Sequence, residues 1–247
     1  MAKAPLFEKA FILAAGMGKR LRPYTDTMPK PMVPVAGKPT IDHIIDHLVE
    51  AGIKDVMVNL HYRGDQIEAH LKNETRLRVH FSHEDSLLDT GGGLKQALDF
   101  FADQPFFIIN GDAYWNNGAS GSVFDTLARN WSEQQTDLLL LLQDVKHMRL
   151  TRGIGDYDLV NGAPIRNKTQ AGTHMFAGIR LCHPRLFADT PEGAFPFLAL
   201  MDRAEANGRL QAITHDGDWH HISTPEELDA VNAALAAHNA EGLCVNG

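Results

Sequence analysis

The feature that most restricts the fold is the alternation of short, wholly apolar runs with amphipathic ones through the first half of the chain. Ala10–Ala15 is an unbroken apolar run stopped by Gly16, the pattern of a strand covered on both faces. From Thr40 the period becomes helical: Ile41, Ile44, Ile45, Leu48 and Val49 share one face, with Thr40 as N-cap and Gly52 as the stop. Val56–Leu60 reads as a second strand, Asp65–Lys72 as a helix and Leu77–Phe81 as a third strand. Gly93–Phe101 is expected to be helical, Pro105–Ile109 extended, Val123–Trp131 helical and Thr136–Leu142 a strongly apolar strand. Such alternation builds a mostly parallel sheet flanked by helices, a Rossmann-like α/β fold, because each parallel return needs a crossover that covers a face.

After Leu142 the rhythm loosens. Asp156–Val160 and Pro164–Arg166 read as short antiparallel strands, Met175–Leu181 as a longer strand and Phe197–Ala206 as a helix. The last helix has a sharp start, with Thr224 as N-cap, Pro225 at the first helical position and Glu227 closing a capping box. No repeat, low-complexity linker or composition break divides the chain. One domain over 1–247 is expected, with halves of about 1–145 and 146–247.

The formal charge of −8 argues against nucleic acid as a partner, since duplex binding needs clustered Lys and Arg. Cys182 and Cys244 are too few for a disulfide framework. The run at Ala10–Ala15 is too short to span a bilayer and wrongly flanked for a signal peptide. A cytoplasmic protein with no membrane partner is expected.

Ligands of open parallel sheets bind at the carboxyl ends of the strands, so Gly16–Lys30, Asp89–Gly93 and Gly111–Asp112 should converge on one cleft. Gly16 and Gly18 would let main-chain N–H groups approach a phosphate or base edge. Taken alone they describe a tight turn equally well. Leu21 stands where a dinucleotide fingerprint needs its third glycine, Asn59 where it needs an acid, and the run is not a Walker loop. Arg20, Arg22 and Lys30 lie in a loop stiffened by Pro23, Pro29, Pro31, Pro34 and Pro39, and fixed cations can hold developing phosphate charge with little reorganisation. Asp112 follows an apolar strand and a glycine, so its carboxylate should project at the strand's carboxyl end and could hold Mg²⁺. Thr90, Gly91 and Gly92 open a helix whose first N–H groups would be free for a base. His43 and His47 share a helical face but lack a ligand set.

The run Leu13-Ala14-Ala15-Gly16-Met17-Gly18-Lys19-Arg20-Leu21-Arg22-Pro23-Tyr24-Thr25, followed by Pro29-Lys30-Pro31-Met32-Val33-Pro34-Val35-Ala36-Gly37-Lys38-Pro39, resembles the signature of sugar-1-phosphate nucleotidyltransferases. The similarity continues through Thr90-Gly91-Gly92-Gly93 and Asn110-Gly111-Asp112 to Trp219–Leu228. It implies the nucleotide-diphospho-sugar transferase fold with a small antiparallel sugar-binding subregion. It also implies attack by a sugar-1-phosphate oxygen on the α-phosphorus of a nucleoside triphosphate, releasing pyrophosphate. By this resemblance Leu13, Ala14, Ala15, Gly16, Gly18, Lys19, Thr90, Gly91, Gly92 and Asn110 bind the nucleotide, and Arg20 and Lys30 bind its phosphates. Asp112 would hold Mg²⁺, and Gly155, Asp156, Phe176 and Gly178 the sugar.

Two points depart from or exceed that pattern. The family usually carries a second metal aspartate near the C-terminal helix, where this chain has His221. Imidazole matches hard Mg²⁺ poorly, so His221 is a metal ligand, a hydrogen-bonding group or a structural histidine beside the helix start. Among short members the chain looks most like the N-acetylmuramate-1-phosphate uridylyltransferases of cell-wall recycling, which favours UTP and N-acetylmuramic acid 1-phosphate. Mannose-1-phosphate guanylyl transfer and a catalytically impaired regulator that binds nucleotide sugars are the alternatives, and a homodimer is left open.

Overall fold

The computed structural model describes residues 7–151 and 153–244. β1 (Lys9–Leu13) leads into single-turn helices at Lys19–Leu21, Tyr24–Asp26 and Lys30–Met32, then a hairpin of β2 (Pro34–Val35) and β3 (Lys38–Pro39). Next come α1 (Thr40–Glu50), β4 (Asp55–Leu60), α2 (Gly64–Leu71), β5 (Arg78–His83), α3 (Asp89–Gln96) and β6 (Phe106–Asn110). β7 (Ala113–Trp115), α4 (Val123–Arg129) and β8 (Leu138–Asp144) follow. The later elements are β9 (Tyr157–Val160), β10 (Ala163–Arg166), β11 (His174–Cys182), α5 (Leu198–Ala206), β12 (Leu210–Thr214), β13 (Trp219–His221) and α6 (Pro225–Cys244).

β6, β1, β4 and β5 lie side by side and parallel. β1 is covered on both faces, as its composition requires. Ala10 and Ile12 pack with Ile41, Ile44, Ile45 and Leu48 of α1, while Phe11 packs on the other face with Phe101, Phe106 and Ile108. β11 pairs antiparallel with β6 and also with β8 and β9, so the sheet forks there. β12 then runs parallel to β8, and β13 pairs with β7 in a separate ribbon. The expected mostly parallel core with an antiparallel subregion is present. No helix among the described residues is long and apolar enough to cross a membrane.

Three local expectations are corrected. The helix placed at Gly93–Phe101 starts at Asp89, stops at Gln96 and gives way to a single turn at Leu98–Phe101. Its early start is anchored by the Phe195 carbonyl, which accepts from Gly91 and Gly92 N–H at 2.8 and 3.2 Å. Thr40 is the first residue of α1 rather than its cap, and its hydroxyl donates to the Val33 carbonyl at 2.9 Å. β7, β12 and β13 were not anticipated. The capping box is as expected: Glu227 Oε2 accepts from Ser223 and Thr224 N–H, and Thr224 Oγ1 accepts from Glu227 N–H.

Candidate active site

A cleft of about 610 Å³ opens at the carboxyl ends of the parallel strands. Leu13, Ala14, Ala15, Gly16 and Gly18 form one wall, Asp89 and Thr90 another, and Lys30, Asn110, Gly111 and Asp112 the inner end. The three segments expected to converge therefore do so. Gly18 has φ +61°, and a Cβ there would lie 2.9 Å from Thr25 Cγ2 and 3.0 Å from Lys30 Cβ. The turn thus needs glycine both for its backbone and to seat Lys30. Lys19 and Arg20 do not line the cleft; their side chains are exposed on the turn that follows it.

Lys30 Nζ donates to Asp112 Oδ2 at 2.6 Å, and His221 Nε2 lies 3.5 Å from the same oxygen. Burial opposes the Asp112 charge, but Lys30 and His221 outweigh it and hold the carboxyl well below the usual carboxylate range. Asp112 is therefore an anion throughout the neutral range. His221 reaches it from β13, held opposite Ala113 in the ribbon with β7. Both chain halves thus meet at one carboxylate.

The glycines at the start of α3 serve packing. Gly91 and Gly92 spend their N–H groups on Phe195, and a Cβ on Gly92 would lie 2.2 Å from the Gly193 carbonyl oxygen. The expected free donors for a base are thus already engaged, because a later segment docks on the helix entry. Thr90 lines the cleft and its Oγ1 accepts from Phe197 N–H at 3.0 Å.

A smaller cavity of about 180 Å³ adjoins the first and is lined by Asp156, Phe176, Gly178 and His221. Asn110 and Asp112 line both cavities. Burial raises the Asp156 carboxyl, partly offset by the Phe176 N–H that its Oδ2 accepts at 3.2 Å. Gly155 is not in the lining; it packs so closely that a Cβ would lie 1.9 Å from the Gly172 oxygen. His43 and His47 pair through Nε2 with the carbonyls of Val35 and Trp115, away from the cleft.

Sequence reasoning missed Asn59 and Glu84, which line the larger cleft and are 3% and 5% exposed. Asn59 Oδ1 accepts from Ala14 N–H at 2.7 Å, and its Nδ2 donates to Glu84 Oε1 at 2.7 Å. Glu84 Oε2 accepts from Leu88 N–H at 2.9 Å. This chain of bonds ties the end of β1 to the loop before α3. The available signal was a polar residue interrupting the apolar run Val56–Leu60, since a buried amide must find partners.

A large cleft with a glycine turn and a fixed cation, sharing an ionised carboxylate with a second cavity, can hold a polyphosphate donor beside an acceptor. Comparison with known proteins agrees. The family model described as nucleotidyl transferase matches residues 9–151. The chain is 36% identical to an N-acetylmuramate alpha-1-phosphate uridylyltransferase of Caulobacter vibrioides, over 96% of this chain and 99% of that protein. It is 32% identical to the protein of the same name from Neisseria meningitidis, over 93% and 99%. The structure of a putative glucose-1-phosphate thymidylyltransferase from Bacillus anthracis superposes with TM-score 0.78 at 22% identity, over 92% of this chain and 94% of that one. The chain belongs to the nucleotidyl transferase family and is a sugar-1-phosphate nucleotidyltransferase.

Proposed function

We propose that the enzyme joins UTP to N-acetylmuramic acid 1-phosphate, giving the UDP-sugar and pyrophosphate. The observation that carries this is the shared border: Asn110 and Asp112 line both cavities, so a triphosphate in the larger one faces an acceptor in the smaller. The choice of base and sugar is supported by the two uridylyltransferases that match nearly end to end. An oxygen of the sugar phosphate attacks the α-phosphorus, the bond to the bridging oxygen breaks and pyrophosphate leaves. Lys30 stabilises charge that accumulates on the phosphoryl oxygens, and Arg20, exposed on the turn after the Gly18 wall, is assigned to the phosphates by the family resemblance. Thr90 and the Ala14–Gly18 wall seat the nucleotide, and Asp156, Phe176 and Gly178 the sugar.

Among the described residues no group of three or more His, Cys, Asp and Glu forms a metal cage. Mg²⁺ does not require one, since it is commonly held by one or two carboxylates, substrate phosphates and water. Asp112, on the border of both cavities, fits as a hard protein donor, and Mg²⁺ bound with the triphosphate would neutralise phosphate charge. His221 fits better as a hydrogen-bonding group beside Asp112 than as a ligand. A cytoplasmic role in cell-wall recycling is part of the same proposal.

The test is pyrophosphate release with Mg²⁺, each nucleoside triphosphate and a panel of sugar 1-phosphates. Fastest turnover is expected with UTP and N-acetylmuramic acid 1-phosphate. A preference for GTP with mannose 1-phosphate would replace this assignment, and nucleotide binding without turnover on any pair would overturn it.

A further inference from the structure

Arg180 has no part in the reaction above, yet it is the most conspicuous buried charge in the fold. It lies on β11 beyond Gly178 and is 3% exposed. Its guanidinium carbon is 4.0 Å from the Phe197 ring centroid and 5.2 Å from that of Phe176. The ring faces attract the cation but leave the N–H edges unpaired. Nε and Nη2 are buried and have no hydrogen-bond partner. Burial lowers the guanidinium to about 10, and the nearby groups that oppose this are Cys182 and Tyr157 rather than a carboxylate.

Tyr157, on the adjoining β9, is 2% exposed and its hydroxyl is also unpartnered. Tyr157 packs in the same cluster as Phe176 and Phe197, the rings that cover Arg180, so two unpartnered donors, one of them cationic, lie in one apolar region. Leaving a charged donor unpaired in a low dielectric is costly, and an anionic oxygen ligand would relieve that cost. The side of the molecule from which such a ligand would come is marked by Phe176, a residue of the smaller cavity's lining whose ring also covers Arg180.

We propose that Arg180 and Tyr157 form a subsite for a carboxylate carried by the acceptor sugar, reached when the Phe176 side chain rotates. The inference rests on the acceptor reading above, since N-acetylmuramic acid 1-phosphate bears a carboxylate on its lactyl ether. N-acetylglucosamine 1-phosphate is the same sugar without that group, and the pair of acceptors isolates the contact.

The experiment measures kcat/KM for both acceptors at saturating UTP in the wild type, Arg180→Met and Tyr157→Phe, with thermal melts to establish folding. The wild type is expected to prefer the carboxylated acceptor. In Arg180→Met the ratio of the two kcat/KM values should fall by about 10- to 100-fold, the scale of a lost charge-assisted bond. Tyr157→Phe should lower the ratio by a smaller factor through KM, and it carries the test if Arg180→Met does not fold. Unchanged ratios would overturn the subsite and reduce Arg180 to a prop between two rings. A wild type with no preference for the carboxylated acceptor would refute the acceptor reading itself, before any variant is compared.

Discussion

Asp112→Asn tests the centre of the site with two separate readouts. The substitution keeps the shape of the side chain and removes its charge, so Lys30 loses the anion now 2.6 Å from its Nζ. At an effective dielectric near 20, charges in contact attract by roughly 5 kcal/mol, and desolvation cancels much of that. The side chains retain only 14% and 22% of their exposure, so solvent screening is partial. The amide oxygen can still accept from Lys30, which leaves an expected loss of about 2–3 kcal/mol, near that of a charge-assisted hydrogen bond. For a chain of this size the melting temperature should fall by roughly 4–12 °C. Turnover should fall further, by about 10²- to 10³-fold in kcat, as when one member of a preorganised electrostatic set is removed. Pyrophosphate release measured well below the variant's melting temperature separates the two effects. A folded variant with near-normal kcat would refute the assignment of Asp112 to the reaction.

His221→Asp should preserve or raise Mg²⁺-dependent turnover, because it brings an oxygen ligand to the side of Asp112 that His221 Nε2 now approaches to 3.5 Å; loss of turnover in a folded variant would give the imidazole a task of its own. Gly92→Ala would force a Cβ to within 2.2 Å of the Gly193 oxygen, at a cost of about 1–3 kcal/mol. An unchanged urea midpoint would show that the 193–195 segment yields freely. Asp156→Asn should raise the melting temperature at pH 7, since burial raises the native carboxyl above its unfolded value. A raised native pKa means the folded state holds its proton longer, so stability falls as pH climbs from the unfolded value of about 3.9 through the native one. The gain should therefore vanish below pH ~3.5, and a gain that is the same at both pH values would contradict burial as its cause.

The parallel core was legible because strands covered on both faces must be apolar throughout, as Ala10–Leu13 and Phe106–Ile109 are. The cleft was legible because a strand end followed by glycine or a short polar residue marks a carboxyl edge. What escaped was structure created by distant pairing. β7 and β13 are three residues each and become strands through Trp115 facing Trp219, a contact between segments far apart in the chain. The engagement of the Gly91 and Gly92 N–H groups escaped for the same reason, since their partner is Phe195. Glu84 looks ordinary in sequence and Asn59 shows only as a polar break in an apolar strand; folding alone brings the amide between Ala14 and the carboxylate.

The fork at β11 also decides how the chain can be cut. β6 presents its outer edge to Ile179–Cys182, and β8 presents its own edge to the same strand. A fragment ending near residue 145 would leave both edges bare, with Ile108 and Leu140 stripped of their neighbour Arg180. Such edges recruit other chains, so the fragment should aggregate rather than fold. Synthesis on the ribosome would meet the same problem: the parallel strands emerge first and must wait for residues 174–182 before their edge is closed. A split reporter built on this protein would assemble only if one piece brought β11 intact to the other.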